Sequence, residues 1–169
     1  MPGTSLRAPL SAALVAILSA ALAGCASSQG PMSMSAPPAA PPPPVASLPP
    51  AFQADAIVGR WGYAAYQKES DRPRIEKAAK AACTQPYVIT RGPTGGAMMY
   101  LADQSKLVEL RTKGGPGGKT YIGPEGPPAD AQDREVLSFD GRVLVLRWVD
   151  PELDGRYSTG LYVRCNARA

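Results

Sequence analysis

The chain has 169 residues, with 19 prolines, 17 glycines, three cysteines and no histidine, and a formal net charge of +4. That length suits one domain rather than two, and so mild a positive balance gives no nucleic-acid signal, which needs cations massed on one face. With no histidine, a Ser-His-Asp triad is excluded, the commonest general base and zinc ligand are missing, and no cofactor or metal is expected.

Residues 1–7 make a short polar start containing Arg7, and an apolar stretch runs from Leu10 to Ala23. At about 14 residues it suits the core of a signal peptide and is short of the ~20 needed to span a bilayer. Leu22-Ala23-Gly24-Cys25 follows at once and resembles the lipobox of bacterial lipoproteins. The resemblance implies that residues 1–24 are a cleaved signal peptide and that the Cys25 thiol carries a lipid holding the protein on a membrane. Residue 26 is alanine, where Gram-negative lipoproteins retained at the inner membrane commonly have aspartate. The same resemblance therefore implies the outer membrane, facing the periplasm.

Residues 25–51 are rich in proline, alanine and serine and include Pro41-Pro42-Pro43-Pro44. So few aliphatic side chains cannot offset the entropy of folding, and consecutive prolines favour extended polyproline II, so this stretch reads as a disordered, semi-rigid tether.

A single β-rich domain is expected over 52–169. From Ile57 to Tyr66 the residues alternate with a period of two, the mark of a strand. Ser70 or Asp71 then stands at a helix start with Pro73 in the first turn, and Ile75, Ala78, Ala79 and Ala82 recur at helical spacing, predicting a helix over 71–83. Strands follow at Tyr87–Arg91, Ala97–Ala102, Lys106–Thr112, Thr120–Ile122, Glu135–Phe139, Arg142–Val149 and about Arg156–Cys165, with Asp140-Gly141 as the strongest hairpin signal. Asp150–Gly155 reads as a solvated turn. The fold class is mainly β: an antiparallel meander of about eight strands, as a closed barrel or a sandwich, with one α-helix after the first strand. In Val143–Val149 one face lines the core and the other lies under the helix. Gly59-Arg60-Trp61 is similar to the Gly-x-Trp opening of lipocalin-like barrels and of the small barrel inhibitors of secreted metalloproteases. A helix directly after the first strand departs from the lipocalin order.

With Cys25 lipidated, Cys83 and Cys165 remain as a pair, and a disulfide between them is expected in an oxidising compartment. Gly114–Thr120 looks like a phosphate-binding loop, but Lys113 stands where a glycine is required and no helix pattern follows, so no nucleotide is expected. Asp103, Glu109, Asp133, Glu135, Asp150, Glu152 and Asp154 could be paired on paper as hydrolase carboxylates, as any acidic surface allows. Arg91, Lys106, Arg111, Lys113 and Lys119 gather on neighbouring strands and loops and read as a mixed, solvated surface. The function that emerges is a non-catalytic binding or interaction domain on a membrane anchor, with an envelope protein or a small apolar ligand as partner. A carboxylate-only hydrolase and a purely structural envelope component are the alternatives. Trp61, Tyr63, Tyr100 and Trp148 are candidate lining for a barrel pocket, with core packing the preferred reading, so no ligand-binding residue is assigned.

Overall fold

The computed structural model describes residues 48–166, so the expected signal peptide, Cys25 and most of the expected tether lie outside the described residues. Eight antiparallel strands, each paired with the next and the last with the first, close a barrel rather than a sandwich. They are β1 (Gly59–Tyr66), β2 (Tyr87–Arg91), β3 (Ala97–Tyr100), β4 (Leu107–Gly114), β5 (Thr120–Gly123), β6 (Arg134–Phe139), β7 (Val143–Trp148) and β8 (Thr159–Arg164). Helix α1 (Arg72–Ala81) follows β1, with single 3-10 turns on either side, and α2 (Pro151–Tyr157) joins β7 to β8. Closure gives each of these strands a paired neighbour on both sides, which removes the usual long template for aggregation.

Alternation along the strands sorts side chains into two clusters. Trp61, Ile89, Ala97, Met99, Leu110, Ile122, Leu144 and Leu146 fill the barrel interior. Tyr66, Val145 and Leu161 point outward and are buried instead against Ala79 of α1, as expected for the second face of Val143–Val149. The helix can lie this close because β1 presents Gly62 to it: a Cβ there would stand 1.8 Å from the carbonyl oxygen of Ala79. The disulfide Cys83–Cys165 then ties the end of that helical segment to the residue after β8.

One end of the barrel is sealed. A 3-10 turn at Ala54–Ile57 crosses it, where the alternating pattern had placed the strand's start at Ile57. Phe52 stacks on Phe139 across this floor at 4.5 Å, and the Trp61 indole N–H donates to the Ile57 carbonyl at 2.8 Å. Arg164 covers the Trp61 ring at 4.2 Å, and its guanidinium donates to the carbonyls of Val58, Ala56 and Gly141. Gly59 has φ +148°, and a Cβ on it would come within 2.7 Å of the Arg164 guanidinium. The Gly-x-Trp order thus has a local cause: the glycine leaves room for the arginine that seals the tryptophan. Leu48 pairs with Gly114, and the Ala51 N–H donates to the Thr120 hydroxyl, so the chain joins the barrel at this floor. β8 also ends there, paired with the start of β1.

Three expectations are corrected in the β6–β8 region. Asp150–Gly155 is not a solvated turn but most of α2: the Asp150 carboxylate accepts from the N–H groups of Glu152 and Leu153, Pro151 occupies the first turn, and Leu153 is buried. Aspartate followed by proline is a strong helix start. The last strand accordingly begins at Thr159 rather than Arg156. In the β6–β7 hairpin the Asp140 N–H donates to the Val143 carbonyl, so the two-residue loop is Gly141-Arg142, one position beyond the expected Asp140-Gly141.

Candidate functional site

The other end of the barrel is open, and a cavity of about 180 Å³ lies inside it. Its walls come from inward positions on five strands: Tyr63 of β1, Tyr87 of β2, Arg134 of β6, Trp148 of β7 and Tyr162 of β8, over a floor at Leu146. The cavity exists because these positions are occupied differently from those at the sealed end. Gly160 contributes no side chain, and the rings of Tyr63 and Tyr162 each lie 3.2 Å from where its Cβ would be. The tyrosine rings lean on one another, Tyr63 on Tyr162 at 4.8 Å and Tyr87 on Tyr162 at 5.7 Å, edge or tilted, the arrangement aromatic quadrupoles favour.

Electrostatically the cavity is one-sided. Arg134 is only 6% exposed; its guanidinium lies 4.0 Å from the Trp148 ring centre and one amino group donates to the Tyr100 carbonyl. Burial raises the hydroxyl pKa of Tyr63, Tyr87 and Tyr162 above the ordinary tyrosine value, while the Arg134 charge opposes that rise at all three. These hydroxyls therefore hold their protons at neutral pH and can donate. The Tyr87 oxygen accepts from the Tyr100 N–H at 3.1 Å, which leaves its own proton free to be given. Among the described residues, no carboxylate lines the cavity.

The mouth is bordered by α2 and the β3–β4 loop, and one residue of that loop holds the two together. Asp103, in the left-handed region at φ 58°, accepts from Arg156 at 2.6 and 3.3 Å and from the Tyr157 hydroxyl. Tyr157 in turn packs on Trp148 at 5.8 Å. The hydrogen bonds from Tyr157 and Arg156 hold the Asp103 carboxyl below the usual carboxylate range. A carboxyl depressed in the folded state favours that state above its unfolded pKa of about 3.9, and the contribution is lost as pH falls through the lower folded value. Acidification below that pH is thus expected to free α2 and change the emission of Trp148, whereas Trp61 stays in the core. The Asp103→Asn variant should show the acid-form emission already at neutral pH; an unaltered titration in that variant would refute the latch.

The structure distributes the sequence-derived candidates unevenly. Of the four aromatics, Trp61 is core, but Tyr63, Tyr100 and Trp148 line the cavity, against the preference for core packing. The seven acidic residues do not converge. Glu109 holds the β2–β3 turn through the N–H groups of Thr94 and Gly96, Glu135 bridges Lys119 and Arg147, and Asp150 caps α2. Of the cationic group, Arg91, Lys106 and Lys119 are exposed and Arg111 half-buried, a mixed surface in which Arg91 pairs with Asp55, Lys119 with Glu135 and Arg111 bonds to Thr94, but Lys113 is buried 2.5 Å from Asp133. Lys113 corrects the reading of a solvated charge, because the loop after β5 folds over it. The Gly114–Thr120 loop leads from β4 through a single 3-10 turn at Pro116–Gly118 into β5, and no α-helix follows it to receive a phosphate.

The sequence reading missed Arg134, Tyr87 and Tyr162. Starting β6 at Glu135 left Arg134 in a loop; extending it by one residue would have placed a charge at an inward position, which is a signal in its own right. Among the described residues, no group of His, Cys, Asp and Glu could hold a metal ion, and no helix is long and apolar enough to cross a membrane. No protein-family model matches the chain, and neither a curated protein nor a solved structure does.

Proposed function

We propose that this protein is a lipid-anchored binding protein of the bacterial envelope, carrying a small ligand in the open end of its barrel. The anchor rests on the lipobox resemblance at Cys25 and on the signal-like stretch before it. The binding role rests on one observation above all: a cavity built from aromatic rings on five strands, open at its mouth. A ligand cavity is concave, mostly apolar and furnished with a few convergent polar groups, and this one fits that description. Its volume suits a body of one ring or a short aliphatic chain, since an apolar cavity of about 150 Å³ takes up benzene. Catalysis by paired carboxylates finds no support in the lining, and the small ligand is favoured over a protein partner because the aromatic surface is concave.

Toluene tests the cavity. It is expected to shift the backbone amide resonances of Leu146, Gly160 and Tyr162, and Gly160→Val, which fills the space between two tyrosine rings, should abolish the shifts while leaving the far-ultraviolet dichroism unchanged. Toluene leaving these amides undisturbed in the wild type would remove the basis for the binding role. The anchor is tested separately by the intact mass of membrane-extracted protein: a chain beginning at an acylated Cys25 is expected, and an unprocessed cytosolic chain would overturn it.

A further inference from the structure

From the cavity's donor set we infer that the ligand is a small organic carboxylate, its acid group held by Arg134 and its apolar body by the tyrosine rings. This rests on the proposed binding role and adds the ligand's charge to it.

The inference starts from an unbalanced charge. Arg134 is nine-tenths buried, yet its Nη1 has no hydrogen-bond partner and no carboxylate lies within ion-pairing distance among the described residues. Its sequence neighbours do not serve it. Strand alternation turns Asp133 and Glu135 to the other face of β6, where Asp133 meets Lys113 and Glu135 meets Lys119 and Arg147. Both nearby anions are therefore spent on other cations. Arg164 at the sealed end shows how this barrel satisfies a structural arginine: the guanidinium covers an indole and gives hydrogen bonds to three carbonyls. Arg134 covers an indole too, but gives to one carbonyl only.

A buried guanidinium left short of partners is costly, and the Trp148 face offsets only part of that cost. The hydroxyls around it add no negative charge, since Tyr63, Tyr87 and Tyr162 are protonated and offer donors. A cavity whose only charge among the described residues is positive, walled by low-dielectric rings, attracts an anion more strongly than a solvated arginine would. A planar carboxylate matches the guanidinium fork and accepts from hydroxyls with its remaining lone pairs. The cavity leaves room behind it for one ring or a short chain, which excludes bulky anions.

The test uses two probes of one shape, 4-methylbenzoate and 4-methylbenzamide, titrated against the full-length protein and followed at the Gly160 and Tyr162 amides. Charge-assisted hydrogen bonds predict that the wild type binds the benzoate roughly 10- to 100-fold more tightly than the amide. Arg134→Met should bring that ratio to about one while toluene still binds, and its urea midpoint should be no lower than the wild type's, because an uncompensated buried charge has been removed. A wild-type ratio near one overturns the inference even if Arg134→Met does not fold. A preference that survives in Arg134→Met, or a midpoint that drops sharply because the arginine is structural, also overturns it. If toluene binds and the two probes do not differ, the inference fails alone; if none of the three binds, the binding role fails with it.

Discussion

Replacing Lys113 with methionine is expected to lower the free energy of unfolding by about 3–5 kcal/mol, the usual cost of leaving one member of a buried ion pair alone. Asp133 is wholly inaccessible and Lys113 nearly so, with Nζ 2.5 Å from the carboxylate. The same ammonium donates to the carbonyls of Pro124 and Pro127, at 3.0 and 2.9 Å, and the other Asp133 oxygen accepts from the Asp130 N–H. One lysine thus gathers the whole proline- and glycine-rich connection between β5 and β6 onto the outside of β4. The site is closely fitted as well as charged: a Cβ on Gly123 would lie 1.7 Å from the Asp133 carboxylate. Urea unfolding of Lys113→Met, Asp133→Asn and the double variant measures the effect. The double variant should lose less than the sum of the single ones, by a coupling of about 0.5–3 kcal/mol. A loss under about 1 kcal/mol in the lysine variant would show that the connection is held by something else.

Removal of the Cys83–Cys165 bridge comes next in size. The cysteines are 82 residues apart, and the chain-entropy account assigns about 4–5 kcal/mol to a loop that long. Most domains have only about 5–15 kcal/mol in total, so the paired Cys83→Ser and Cys165→Ser variant is expected to be close to the edge of stability. The barrel does not depend on the bridge for closure, because β1 and β8 pair along their lengths from Trp61–Arg164 to Tyr66–Thr159. The variant should therefore keep its strand dichroism at low temperature and lose it at a much lower urea concentration. A midpoint equal to that of the oxidised wild type would mean that the reduced chain is already restrained by contacts between α1 and the barrel.

The parts of this fold that were legible in the sequence are those set by local chemistry. Alternation marked the strands, Pro73 and the Ile75–Ala82 spacing marked α1, and the two cysteines left over once Cys25 was read as lipidated implied their own bridge. Helix α2 escaped because seven residues containing a proline, an aspartate and a glycine, with another aspartate just before them, resemble a turn; only the capping geometry at Asp150 distinguishes them. Lys113 and Arg134 escaped for a different reason. A charged side chain reads as solvated until something is known to cover it, and what covers these two is distant in sequence: the 124–133 loop over Lys113, and Trp148, paired with Arg134 across strands, over the guanidinium. The cavity depends on register in the same way. Tyr63, Tyr87 and Tyr162 are ordinary strand residues one by one, and form a site only when closure of the barrel brings β1, β2 and β8 side by side.

Leu48 and the residues following β8 both leave the barrel at its floor, while the cavity opens at the opposite pole. For anyone building with this domain the geometry is convenient. A bead, a dye or a second protein spliced directly before Leu48 or after Asn166 begins its path from the base, away from the lip. Attachment at these two points should therefore leave the cavity clear, whereas a graft into the 101–106 loop or α2 would sit across the opening.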